Sequence, residues 1–446
     1  MPARLPGPRG TLLLGSLSEF RRDMLGFMTR CAREYGDMSG FRLAHLRVCL
    51  VNDPKLIEQV LVQERDRVRK PWDLRELEFA LGKGLLTSEG ELWKRQRRLI
   101  QPAFTHERIR GYGEIMVRRA QAMVASWKDG EVRDLHADMA RVTLEIVCEA
   151  LFGFDISNQA DQIGGALELV MRQFERMFTS TIPLPLWFPT PGNLGARRAI
   201  RRMDEVVFGI VARRRASGEQ RDDLLGRLLA AQDADGKGMS DQQLRDELLT
   251  LIGAGHETTA IALAWTFFLL GRHPDVAARI ASDLEALAGP PSVEDMGKLA
   301  STQEVVQESL RLYPPAWGIA RENLEPIDLG GYHLERGTQI WLVNWVTQRD
   351  PRFFEEPEAF RPERFAPERA SRIPKYAYFP FAGGPRSCVG MHFALLEATL
   401  VLACVLQKFR IELVPDHPVE LQPSVTLRPR YGIRARVFQR APVAAV

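Results

Sequence analysis

Residues 241–271 run for about thirty positions without a proline and are apolar around most of the circumference a helix would present. At 1.5 Å per residue such a helix spans roughly 45 Å, most of the width of a domain. A helix apolar on several sides must be enclosed by other elements. Ser240 offers an N-cap and His273-Pro274 a stop. A second apolar helix should follow Gly390, carrying Phe393, Leu396, Leu400 and Val405. Most of the chain between residues 52 and 326 reads as helical, with breaks at 183–191, 217–218, 233–238 and 289–291. Two hairpin-like stretches, 41–51 and 327–343, supply strands; Asn52-Asp53-Pro54 and Gly330-Gly331 are their turn signals. Residues 350–375, with five prolines and twelve charged residues, should be an ordered but irregular crossing. The expected fold class is mainly α with a small β region, a single large domain over 1–446 with a short proline-rich segment at about 1–15.

Charge and cysteine usage narrow the function. Sixty basic against 57 acidic residues leave a net charge of +3, too little for nucleic-acid binding to be the main role. The five cysteines (31, 49, 148, 388 and 404) are scattered and form no CxxC pair. They therefore suggest neither a disulfide framework nor a zinc ribbon, and a cytoplasmic setting fits them. The apolar run Leu12, Leu13, Leu14 is shorter than a signal peptide or a membrane span requires, so a soluble protein is expected.

Four segments carry chemistry. In Phe381-Ala382-Gly383-Gly384-Pro385-Arg386-Ser387-Cys388-Val389-Gly390, a cysteine lies just before a helix start in a glycine-rich loop. Peptide N–H groups there stabilise a thiolate, and Arg386 is placed to pair with a carboxylate. Within the long helix, Ala254-Gly255-His256-Glu257-Thr258-Thr259 sets an acid and hydroxyls in apolar surroundings. These are costly there unless paired or functional, although a threonine bonding back to a helix carbonyl is the plain alternative. Ala260 occupies the place of the second histidine of HExxH, which excludes that zinc motif. Glu308 and Arg311 share a helix face, and Arg364 could complete a buried acid–arginine network with them. Trp93 and Arg97, four apart, also share a face.

Together, in this order and spacing, these segments resemble the cytochrome P450 family over nearly the whole chain. The resemblance implies the P450 fold, with haem b between the long central helix and the cysteine-loop helix. It implies Cys388 as the iron ligand, Phe381 beside the sulfur, and Gly384 and Gly390 shaping the loop. Arg386, Trp93, Arg97 and Arg321 resemble the partners of the haem propionates, and Glu308, Arg311 and Arg364 a structural triad. Thr258 resembles the hydroxyl that bonds dioxygen, and Glu257 the acid that helps deliver protons. Ala254 and Thr258 should face the haem. Ala382 departs from the glycine that many members carry.

The candidate pocket segments, by position in the family pattern, are 72–86, 174–188, 315–319 and 424–426. They include Val425 and the aromatics Trp317, Phe174, Phe178, Trp187 and Phe188, any single one of which reads first as core packing. An apolar lining favours a hydrophobic small molecule, whether fatty acid, terpenoid or steroid-like. The implied activity is insertion of one oxygen atom of O2 by a monomeric enzyme. No dinucleotide-binding loop is present, so electrons should come from a ferredoxin or flavodoxin with an NAD(P)H reductase, steered by Lys94, Arg95 and Arg98. A peroxide-using enzyme of the same fold and a non-catalytic haem-binding protein are the competing readings.

Overall fold

The computed structural model describes residues 4–157, 159–179, 186, 188–219, 221–231 and 238–440, without the side chains of 72, 73 and 177–179. The chain separates into two compact units. One comprises Met1–Glu76 and Gln307–Cys388, the other Leu77–Val306 and Val389–Val446.

The first unit is built on a five-stranded sheet. Met38–Leu43 and Leu46–Val51 form an antiparallel hairpin over the expected 41–51 stretch, beginning three residues earlier. Gln339–Leu342, from the other expected hairpin region, lies parallel to Leu46–Val51. Ile319–Asn323 and Val68–Arg69 complete the order. On the inner strand Leu46–Val51, Val48, Cys49, Leu50 and Val51 are all buried, as expected for a strand covered on both faces. On one face, Phe27 of the helix Met24–Tyr35 meets Phe41 edge-on at 5.0 Å. On the other, Cys49, Val51, Ile340 and Leu342 pack with Ile57 and Leu61. Gly330 and Gly331, both at positive φ, turn a separate hairpin of Ile327–Leu329 and Tyr332–Leu334. The crossing at 350–375 holds only short turns of helix, Pro362–Phe365 and Pro367–Ala370, as its prolines require.

The second unit is helical around Asp241–Arg272. Ser240 caps this helix by accepting from the Gln243 amide at 3.2 Å, and His273 ends it before Pro274 opens the next. Its side chains from Thr259 to Leu270 are all buried, including Trp265, whose indole N–H donates to the Leu427 carbonyl at 2.8 Å. The helix Leu135–Phe152 packs along it. Met391–Lys408 is the one described helix long and apolar enough to cross a membrane; it is two-thirds buried (67%) and serves as a core element here, packed on His106–Ala125. A three-stranded sheet of Val132–Asp134, Arg434–Gln439 and Phe409–Leu413, and a hairpin of Leu421–Pro423 with Leu427–Pro429, complete the unit.

Candidate functional site

The cysteine loop belongs to the first unit and is held by its own backbone. The Cys388 amide donates to the Phe381 carbonyl at 3.0 Å and the Ser387 amide to Gly384 at 3.1 Å. Gly384 has φ +66°, and a Cβ there would lie 2.2 Å from the Leu61 carbonyl oxygen, so no side chain fits. Ala382 also takes a left-handed conformation, φ 59°. That explains why glycine suits the position and why alanine there carries strain. Cys388 is exposed, whereas Cys31, Cys49, Cys148 and Cys404 are buried. Burial pushes each of those four thiols up to about 12, leaving them protonated and inert. Of the five, Cys388 is the one whose sulfur is not enclosed by the fold. The following helix starts at Met391, one residue after Gly390.

Behind the loop lies the acid–arginine network expected from the sequence. Glu308 accepts two bonds from Arg311, at 2.7 and 2.9 Å, and a longer one from Arg364 at 3.4 Å. Glu308 and Arg311 are fully buried. All five Arg311 donors are used: the remaining three go to the carbonyls of Gln348, Pro357 and Ala359. The Arg361 amide donates to Glu308 at 2.9 Å. Gln348 extends the network, its amide nitrogen donating to the Leu310 and Arg311 carbonyls and its oxygen accepting from the Phe379 amide at 3.1 Å. Phe379 is two residues before the loop, so the network fixes where the loop begins. Gln348 gave no sequence signal, because a lone glutamine in an apolar strand-to-turn segment has no motif around it. Arg321 is buried on the strand Ile319–Asn323 and donates to the Ala320 carbonyl at 2.8 Å.

In the second unit, the central helix passes through residues 254–259 as unbroken helix. Thr258 donates to the Ala254 carbonyl at 2.8 Å and Thr259 to Gly255 at 3.1 Å, the back-bonded geometry that lets a hydroxyl sit in a helix. His256 is buried with Nδ1 3.1 Å from the Ile252 carbonyl, and burial lowers its pKa, so it is neutral. Among the described residues no cluster of three or more His, Cys, Asp or Glu could hold a metal ion.

Glu257 leaves the helix toward the C-terminal hairpin. Its Oε1 accepts from Thr426 at 2.7 Å and from Arg428 Nε at 2.7 Å, with Arg428 Nη2 bonded as well. Burial works to raise this carboxyl, but the Arg428 charge and the Thr426 hydroxyl outweigh it, so its pKa lies below the ordinary value. Thr426 falls in a segment singled out from the sequence; Arg428 does not. The available signal was weak: arginine between Leu427 and Pro429 in an otherwise apolar strand.

Glu397 was also missed, although an acid inside the apolar run from Phe393 to Leu406 was a visible anomaly. Its carboxyl is enclosed, and burial pushes its pKa well above the usual carboxylate range, with the Thr259 hydroxyl opposing.

Trp93 and Arg97 lie half-buried on the helix Gly90–Ile100. On the same helix Lys94 pairs with Glu91 at 2.7 Å, which reduces the expected basic cluster, and Arg98 is exposed. Ala254 is exposed within its unit and Val425 half-buried; in the first unit Trp317 is half-buried. Phe174 is core, at 3% exposure, whereas Phe188 is 42% exposed. Trp187 and the side chains of Trp72 and Phe178 lie outside the described residues.

Comparison with known proteins agrees with this geometry. The family model described as Cytochrome P450 matches residues 5–434. Cyclooctatin synthase of Streptomyces melanosporofaciens is 35% identical, over 94% of this chain and 92% of that one. Pentalenene oxygenase of Streptomyces avermitilis is 32% identical, over 98% and 97%. The crystal structure of the cytochrome P450DA heme domain superposes with a TM-score of 0.89 at 28% identity, covering 99% of this chain and 98% of that one.

Proposed function

Because the chain belongs to the cytochrome P450 family and is a haem-iron monooxygenase of it, we propose that it hydroxylates a terpenoid-type hydrocarbon, taking one oxygen atom from O2. Cyclooctatin synthase, pentalenene oxygenase and cyclooctat-9-en-7-ol 5-monooxygenase, three bacterial relatives at 32–35% identity, support this substrate class over fatty acids and steroids. One family model spans 5–434, so we read the chain as one catalytic domain. Electrons would come from a separate ferredoxin or flavodoxin with its NAD(P)H reductase, and the protein would work as a cytoplasmic monomer.

The observation that carries the reading is the exposed Cys388 in a loop where Gly384 leaves no room for a side chain, with the other four thiols buried. Cys388 would ligate the iron of haem b, with Arg386, Arg321, Trp93 and Arg97 holding the propionates. Bound there, haem supplies oxygen activation, to which a thiolate ligand contributes by favouring O–O cleavage.

The chain's own residues govern protons and substrate pose. Glu257 is ionised and held through Oε1 by Arg428 and Thr426, which disfavours its taking up a proton while those bonds stand. Thr258 can donate its proton elsewhere only by releasing the Ala254 carbonyl. Both are rotations of single side chains with no change of helix. Val425 and Trp317 would contribute apolar surface to the substrate.

The test is reductase-driven turnover with a panel of cyclic terpenes, fatty acids and steroids, monitored together with hydrogen peroxide. Product from a terpene, with Thr258→Ala diverting reducing equivalents to peroxide, is the expected result. Turnover with peroxide alone that is indifferent to Glu257 and Thr258 would favour the peroxide-using reading. Absence of any turnover would favour a haem carrier.

A further inference from the structure

The N-terminal part of the first unit presents an apolar tip that its surroundings hold outward. Thr11 and Gly15 exchange both backbone hydrogen bonds, each 2.9 Å, and close a turn whose intervening residues are Leu12, Leu13 and Leu14. These leucines are 89%, 83% and 48% exposed, the first two more than any other large apolar side chain described. The turn cannot fold back to hide them. Gly15 bridges to Leu43, the Ser16 amide donates to Arg42, and the Ala44 amide donates to Leu14 at 3.0 Å. The Arg42 guanidinium donates to the Leu12 carbonyl at 2.5 Å.

The same face is basic. Arg42 and Arg47 stand directly opposite one another in the antiparallel register, both exposed. Arg47 reaches the carbonyl of Arg336, also exposed, and Arg9 is exposed just before the turn. Among the described residues none of these four arginines has a carboxylate partner. Like charges facing across a strand pair destabilise it, a cost that a surface of negative charge would reverse. Three leucines fall well short of the ~800 Å² per partner that a stable protein interface buries. A convex apolar tip beside arginines needs no shaped partner to enter a layer of anionic headgroups.

We propose that this face attaches the protein to the surface of an anionic phospholipid bilayer. Leu12, Leu13 and Leu14 enter the boundary between headgroups and acyl chains, while Arg9, Arg42, Arg47 and Arg336 pair with lipid phosphates. The attachment is peripheral and reversible, and it does not depend on the catalytic reading.

The test is flotation of the full chain with vesicles of phosphatidylcholine containing about one third phosphatidylglycerol, against pure phosphatidylcholine. The wild type should float with the anionic vesicles, at least about fivefold more than with neutral ones, and lose binding in high salt. Leu12→Ser/Leu13→Ser should lower partition roughly tenfold or more. It should leave circular dichroism and Tm unchanged, because both side chains are already in solvent. Arg9→Gln/Arg47→Gln should weaken the preference for anionic vesicles. A wild type that ignores anionic vesicles, or a double-serine variant that binds as well as wild type, would overturn the proposal. So would concentration-dependent dimerisation that the double-serine variant abolishes, since a second copy would then be what covers the tip.

Discussion

Arg428 Nε lies 2.7 Å from Glu257 Oε1, tying the acid of the central helix to the C-terminal hairpin through a largely buried ion pair. The hairpin carries Val425 and Thr426 at its tip, so the strand that bears candidate substrate contacts also sets the charge state of the acid. Arg428→Met leaves a buried carboxylate without its counter-charge. A loss of about 3 kcal/mol in urea unfolding is expected. The Glu257 carboxyl should also titrate higher, because the Arg428 charge that most opposes burial is gone while only the weaker effects of His256 and Thr426 remain. Glu257→Gln/Arg428→Met should recover part of the stability, which a double-mutant cycle measures.

The same pair has a pH signature. A carboxyl whose pKa is depressed on folding contributes stability above its unfolded pKa and loses it as pH falls through the folded value. Wild-type stability should therefore fall on acidification below the unfolded carboxylate pKa, and Glu257→Gln should lack that component.

Glu397 has the opposite sign. Its pKa is raised in the folded chain, so unfolding releases a proton above the unfolded pKa, and stability declines there by up to ~1.4 kcal/mol per pH unit. Glu397→Gln keeps the neutral shape and removes that decline. Tm measured from acid to neutral pH should show the variant gaining on the wild type as pH rises; parallel curves would mean that Glu397 is ionised in the fold.

Much of this architecture was legible in the sequence, and the reasons differ between elements. The central helix could be placed to within one residue at its end because Ser240 and His273-Pro274 are local signals. The Glu308, Arg311 and Arg364 network was readable because two members share a helix turn. Arg428 and Gln348 were not, because their partners lie 171 and 37 residues away and only the folded chain joins them. The C-terminal strands were missed for a related reason: short strands with mixed exposure carry little periodicity. Phe174, an aromatic in a candidate pocket segment, packs in the core, the plainer of the two readings its sequence allowed.

Removing Glu308 strands two arginines, one fully buried. Glu308→Ala should cost on the order of 3–5 kcal/mol and give protein that retains little haem. Arg311→Lys should also fail, since an ammonium cannot serve five separate acceptors. Haem content after gel filtration, with unfolding curves, checks both.

The loop backbone offers a finer test. Gly384→Ala should disrupt the loop, because its Cβ meets the Leu61 carbonyl oxygen. Ala382→Gly should relieve left-handed strain and stabilise by up to ~1 kcal/mol. Equal Tm in the Gly384→Ala variant and the wild type would contradict this view of the loop.

The most direct measurement is the ferrous–carbon monoxide difference spectrum of the wild type and of Cys388→Ser, both reconstituted with haem. A Soret band at the thiolate position in the wild type, lost in the variant, is the expected result. A histidine-type band in the wild type, or a thiolate-type band that survives in Cys388→Ser, would contradict ligation by Cys388.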